Sequence, residues 1–305
     1  MIGRAAALVV ALSVPGVADA RAQQTPVNDE VRAAARTISG GDREAGLSRL
    51  EALAGAGDLD AHNLLGELYS GIGGVQRDRP KSCEHFRIAR EARASAAHNY
   101  GQCLWEGAFG QRELVEARVW YQRGADGGFL QAKCALGNML IAGDGGPADP
   151  ERGLALCREA AEAGEPNAQA DMGDHYGAGS GVAQDYIEAA RWYRLAAAQD
   201  QRNAAFQLGA LHWNGLGTPV DLEAAGDWFE RAYGVGRSDA AKLVARAALI
   251  RAGEANLDGA RRVELLNRAG RWLRVAMEED PDPEERARAA VRLAQVSAEV
   301  PQPLP

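Results

Sequence analysis

The sequence predicts an all-α chain, a solenoid of antiparallel helix pairs, and three observations predict it. A glycine recurs inside otherwise apolar helical stretches, at Leu65-Gly66, Tyr100-Gly101, Leu136-Gly137, Met172-Gly173 and Leu208-Gly209, with intervals of 35, 36, 36 and 36 residues. A second marker keeps the same beat at Phe86, Tyr121, Cys157, Tyr193 and Phe229. Between the two markers each unit carries a glycine-rich return. A glycine inside a helix costs about 1 kcal/mol relative to alanine. Its recurrence therefore needs a reason, and close helix–helix approach, where a Cβ would clash, supplies one.

Residues 167–202 show the unit most clearly, as NAQADMGDHYGAGSGVAQDYIEAARWYRLAAAQDQR. Ala168, Met172 and Tyr176 form an apolar stripe at i, i+4 and i+8, which predicts a first helix. Gly177, Gly179 and Gly181 are expected to stop it and to allow positive φ in the return. Asp185 with Glu188 three residues on is a capping-box pattern. A second helix is predicted over 186–198, with Ala189, Trp192, Tyr193, Ala196 and Ala197 on its buried face.

From the start of the chain, Arg4, the apolar run 5–14, the Pro15-Gly16 break and the small-x-small sites 18–20 and 20–22 predict a cleaved signal peptide over 1–22. The run is too short to span a bilayer, which takes about 20 residues. Residues 23–57 are expected to form N-terminal capping helices, over 28–38 and 43–55. There the phase of Gly66 falls on Glu30, while Leu50 and Ala54 keep the anchor and alanine phases. A terminal unit has one face in water and loses packing residues.

Repeats are predicted over 58–237. The first full unit turns at Gly71, Gly73 and Gly74 and restarts at Asp78. The second departs most, with Gly107-Ala108-Phe109-Gly110 and with Glu113 in place of the aspartate. The third carries Asp149-Pro150, an N-cap followed by proline at N1. The fifth ends its turn with Pro219 and Asp221. After Ser238 the beat fades and Ala245 stands where glycine is due. The stretch 238–300 is expected to be a C-terminal helical cap, with helices over 239–252, 258–279 and 284–300 broken at Asp280-Pro281-Asp282-Pro283. Residues 301–305 are expected to be a disordered tail.

The pattern A-x-x-x-L-G-x-L-Y, then G-x-G-V-x-x-D, then A-x-x-W-Y-x-x-A-A, is similar to the Sel1-like repeat family. GELYSGIGGVQRD, GDHYGAGSGVAQD and GALHWNGLGTPVD carry the resemblance, over about half the chain. Tetratricopeptide repeats, with a period of about 34, lack the glycine-rich return. The resemblance implies a right-handed α-solenoid of about five repeats whose first helices line a concave groove. Groove candidates are then Glu67, Gln102, Trp105, Asn138, Asp174, Gln207 and Trp213. Trp105 and Trp213 share one phase, four residues after Gly101 and Gly209; they are either binding hot spots or packed under the turns.

The cysteines are Cys83, Cys103, Cys134 and Cys157, with no C-x-x-C pair. An even count in an exported chain suggests disulfides. Antiparallel packing favours Cys83–Cys103 and Cys134–Cys157; the alternative is four buried thiols with Cys157 filling an aromatic slot. His62, His85, His98, His175 and His212 form no H-x-x-x-H or H-E-x-x-H pair, so no metal site is expected. Neither G-x-S-x-G nor S-x-x-K occurs, Gly71-x-Gly73 and Gly179-x-Gly181 are not preceded by strands as phosphate loops are, and no cofactor or enzymatic activity is expected.

The chain is 46% hydrophobic and 25% charged with a net charge of −8, and loss of 1–22 would make it −9. An acidic chain argues against nucleic acid, whose binding rests on cations, and against anionic membrane surfaces. The expected role is a protein–protein interaction scaffold, adaptor or regulator, periplasmic or secreted, not inserted in a membrane after cleavage. The alternative is a binder of cell-wall glycan or muropeptide through Trp105, Trp213 and groove amides.

Overall fold

Each repeat closes on one recurring hydrogen bond. The backbone N–H that opens the second helix donates to the carbonyl three residues after the helix glycine. The pairs are Asp78 to Tyr69 (2.8 Å), Glu113 to Leu104 (2.9 Å), Asp149 to Leu140 (2.8 Å), Asp185 to Tyr176 (2.9 Å) and Asp221 to His212 (2.9 Å). Carbonyls in the last turn of a helix have no partner within it, and the return supplies one. The aspartate side chains then cap the second helix, Asp185 accepting from the N–H groups of Ile187 and Glu188. Glu113 makes no side-chain cap. The capping box expected at Asp185 and Glu188 forms only by half. The Asp185 N–H is already given to Tyr176, and Glu188 pairs with Arg191 instead (3.0 Å).

The computed structural model describes residues 27–299. The signal peptide and the tail expected from the sequence lie outside the described residues. Among those described there are fifteen α-helices and no strand. They follow one another as packed pairs in two compact units that divide between Ala163 and Gly164.

The first unit holds α1 (Asp29–Ser39) with α2 (Arg43–Gly55), α3 (Leu59–Tyr69) with α4 (Arg79–Ala89), α5 (Ala94–Glu106) with α6 (Leu114–Asp126), and α7 (Leu130–Ala142) with α8 (Pro150–Glu162). Val31, Ile38, Leu50, Leu65 and Leu68 form one core cluster, and Phe86, Tyr100, Trp120, Tyr121 and Leu136 belong to another. Cys83 is bonded to Cys103 (Cα–Cα 5.8 Å) and Cys134 to Cys157 (Cα–Cα 4.0 Å). The first bridge joins α4 to α5 and the second joins α7 to α8. A buried ion pair, Arg93 with Asp60 at 2.5 Å, adds a polar tie.

The second unit holds α9 (Pro166–Ala178) with α10 (Tyr186–Ala198), α11 (Ala204–Asn214) with α12 (Leu222–Gly234), and then α13 (Ala241–Ala252), α14 (Gly259–Glu279) and α15 (Pro283–Glu299). Of the three glycines expected to stop α9, Gly177 is still helical and left-handed Gly179 (φ 72°) ends it. Trp272, out of phase with the repeat, meets Tyr233 edge-on at 4.9 Å, and Leu273 is buried in the core of the last helices. Lys242 reaches the buried Asp280 at 3.2 Å and holds the α14–α15 corner.

The helix glycines sit where close approach requires them. A Cβ on Gly66 would lie 2.6 Å from the Phe86 ring, one on Gly173 2.5 Å from Tyr193 Cδ1, and one on Gly209 2.6 Å from the Phe229 ring. Heavy atoms do not pack that closely, so the second-helix ring lies against bare backbone. In the returns, Gly145 and Gly217 combine positive φ (71° and 70°) with contact to the preceding repeat. A Cβ on Gly145 would meet the Leu114 carbonyl carbon at 2.7 Å, and one on Gly217 the Tyr186 carbonyl carbon at 2.8 Å.

Candidate functional site

In the third and fourth repeats the residue that follows the helix glycine meets the second-helix anchor. In the fourth repeat the Tyr193 hydroxyl donates to Asp174 Oδ1 at 2.7 Å. Burial, and then that carboxylate, push the Tyr193 hydroxyl pKa far above the ordinary range. In the first repeat the anchor is Phe86, which has no hydroxyl. Glu67 receives only the Asn63 amide, at 3.0 Å. Burial outweighs that bond and raises the Glu67 carboxyl to about 7. In the second repeat Gln102 donates to Glu106 (2.8 Å), which also takes the Arg79 guanidinium (2.5 Å). In the third, Asn138 Oδ1 stands 3.5 Å from Cys157 Sγ.

Of the seven groove candidates, the structure brings Asp174 and Gln207 into contact, Gln207 Nε2 donating to Asp174 Oδ1 at 3.3 Å. The two tryptophans share a phase and not an environment. Trp105 is exposed, with the Arg112 guanidinium 4.4 Å from its ring centre and its Nε1 3.5 Å from Asp144. Trp213 is half-buried against the core, 6.2 Å from the Phe229 ring centre.

Around Asp174 and Gln207 lies a cleft of about 310 Å³, lined also by Gly177, Tyr186, Tyr193 and Asn214. It is open at Gly177, whose counterparts four residues after the helix glycine are Ser70, Trp105, Ile141 and Trp213. Sequence reasoning missed the cleft because it counted Tyr193 only as a core anchor and Gly177 only as a helix stop. The signal was present in the loss of bulk at that phase.

A second polar cluster lies in the first unit, also unread from the sequence. His62 Nδ1 and His85 Nδ1 are 2.9 Å apart, and His62 Nε2 faces the Ala54 carbonyl at 3.1 Å. A carbonyl only accepts, so His62 keeps its proton on Nε2 and neutral His85 donates from Nδ1. Burial holds the His85 pKa below its ordinary value. His98, wedged 5.3 Å from both the Tyr121 and Phe129 rings, is lowered to about 4 by burial. Among the described residues no group of three or more His, Cys, Asp or Glu is placed to hold a metal ion, and no helix is long and apolar enough to cross a membrane.

Repeated helix pairs closed by one bond and spaced by glycine contacts define an α-solenoid repeat protein. The chain belongs to the Sel1 repeat family, whose repeat model matches residues 59–92, 94–129, 130–165, 166–201 and 202–233. Solved structures agree in fold. A Sel1 repeat protein from Oxalobacter formigenes is 24% identical, with 84% of this chain and 100% of that one covered and a TM-score of 0.60. A protective antigen of uropathogenic Escherichia coli with an SLR fold is 25% identical, with a TM-score of 0.54; the match covers 82% of this chain and 56% of the antigen. An immunity protein from Pseudomonas aeruginosa is 21% identical over 72% of this chain and 88% of its own, with a TM-score of 0.50. No curated protein sequence matches the chain.

Proposed function

We propose that this chain is a non-catalytic protein-interaction scaffold or adaptor that works in the cell envelope after export. One observation carries the reading. On the first helices Glu67 and Asp174 stand without a cation among the described residues, whereas Glu106 is paired with Arg79. Acids that lack a cation and are held in place by buried neighbours are what a protein partner can complete. Export is supported by the leader-like start of the sequence and by the two disulfides, which persist in oxidising compartments.

Binding of cell-wall glycan is less well supported. It calls for a free aromatic face, whereas Trp105 carries Arg112 on its ring and Trp213 packs on Phe229. The test is photo-crosslinking in intact envelopes from positions 67 and 174, with sedimentation on purified peptidoglycan in parallel. A discrete crosslinked protein and no sedimentation are expected; sedimentation without a crosslink overturns the scaffold reading. Mass spectrometry of native protein is expected to show an N-terminus at Arg21 or Gln23, and an intact Met1 in the cytosol overturns export.

A further inference from the structure

We infer that the cleft between α9 and α11 receives an arginine side chain of a partner protein, an inference that rests on the scaffold reading and gives it a chemistry. Three donors of the cleft are engaged within the fold. Tyr193 donates its hydroxyl to Asp174 Oδ1 (2.7 Å) and Gln207 donates from Nε2 to the same oxygen (3.3 Å). Asn214 donates from Nδ2 to the Ala210 carbonyl (2.8 Å). Left without a partner among the described residues are Asp174 Oδ2, Gln207 Oε1 and Asn214 Oδ1. Three oxygens around one cleft, one of them on a carboxylate, call for a ligand that donates several bonds and carries positive charge. Guanidinium has five donors in a flat fork and accepts none.

The arrangement is held before any ligand arrives. The Tyr193 ring is buried against Gly173, so the hydroxyl that aims Asp174 cannot swing away. The Tyr186 hydroxyl is fixed by Gln184 Nε2 at 2.9 Å. No arginine or lysine of the chain forms an ion pair with Asp174 among the described residues, in contrast to Glu106. The volume, about 310 Å³, takes a guanidinium and part of its stem, with Leu211 and Leu216 as apolar walls. A tryptophan at 177, the residue its counterparts carry at 105 and 213, would fill the space. Lysine offers a point charge that reaches fewer of the three oxygens.

The test is a titration of the full chain with blocked pentapeptides whose central residue is arginine, citrulline, lysine or glutamate, followed by the side-chain amide signals of Gln207 and Asn214. The arginine peptide is expected to shift both signals and to bind more tightly than lysine. Citrulline, the same shape without charge, is expected to lose about tenfold or more. Asp174→Asn keeps the oxygen that Tyr193 and Gln207 hold and loses the charge, and is expected to lose binding by a similar factor. Gly177→Trp is expected to abolish it, with circular dichroism checking the fold. Equal binding of arginine and citrulline, or binding unchanged in Asp174→Asn, overturns the inference. If the crosslink from position 67 persists in that case, the scaffold reading stands and only this site falls. If crosslinks from both positions vanish in wild type, the scaffold reading itself falls.

Discussion

Under Gly137 lies sulfur; under Gly173 lies a tyrosine ring. In the first unit's third repeat the anchor is Cys157, and a Cβ on Gly137 would stand 2.8 Å from its Sγ and 2.5 Å from the Gly153 carbonyl oxygen. In the second unit's first repeat the same slot holds Tyr193. The difference reaches the facing helix. Four residues before the anchor stand Ser82, Ala117, Gly153, Ala189 and Ala225. Glycine appears where the anchor is small, because α7 and α8 then come so close that a methyl group on Gly153 would lie 2.6 Å from the Gly137 carbonyl. A ring holds two helices apart and fills the gap. A cysteine lets them close and then ties them. One backbone plan therefore runs on two kinds of contact, crosslinked between α7 and α8 and aromatic at Phe86, Tyr121, Tyr193 and Phe229.

The strongest way to break this comparison is to remove the sulfur. Replacing Cys134 and Cys157 together by alanine is expected to cost about 3 kcal/mol, with hydrogen exchange accelerating in α7 and α8 and little changed in α9 and α10. Equal acceleration in both pairs would show that the bridge is not what distinguishes them.

The aromatic side is probed at its glycines. Gly173→Ala and Gly209→Ala are expected to destabilise by about 1–3 kcal/mol through overpacking against Tyr193 and Phe229. Gly55→Ala, with nothing within 4 Å of its added Cβ, is expected to stabilise by up to about 1 kcal/mol. Ala245→Gly, buried in the cap, is expected to destabilise by about 1 kcal/mol. Denaturant melts read all four, and stabilisation at both repeat glycines would remove the close-approach account.

The matched tryptophans sharpen the contrast. Trp213→Ala, which exposes Phe229, is expected to cost about 2 kcal/mol of stability, whereas exposed Trp105→Ala costs less than about 1 kcal/mol. Thermal melts with equal losses would mean that both tryptophans are core.

The smallest effect concerns Glu67. Its carboxyl is raised to about 7 in the fold by burial, against an ordinary 4.5. The neutral form is favoured, so its contribution to stability is complete below about pH 4.5 and is lost as the pH rises through about 7. Glu67→Gln is therefore expected to match the wild type near pH 4 and to be the more stable of the two at pH 8. Parallel stability curves across that range would refute the shift.

How much of this could be read in advance depended on what repeats. The helix pairs, the aspartate caps and the pairing of Cys83 with Cys103 and Cys134 with Cys157 follow from a 36-residue period, and a period is visible in one dimension. The predicted second helix over 186–198 coincides with α10. The cleft was not visible, because it arises from a break in the period. Gly177 reads as one more turn glycine until the helix is seen to run through it. His62 and His85 are 23 residues apart and share no phase, so nothing in the sequence pairs them. The half-formed capping box was missed because the Asp185 N–H is taken by Tyr176, nine residues earlier.

The glycines of the returns carry one more consequence. Gly145 rests on the main chain at Leu114 and Val115, and Gly217 on that at Tyr186 and Ile187. Main-chain atoms are the same whatever the side chains are. Within each unit the contact between these neighbouring repeats thus rests on parts that mutation of the proposed recognition face does not touch, as type in a printer's forme can be reset while the frame holds its pitch. A lineage can rewrite what the face says, letter by letter, without renegotiating the distance between letters.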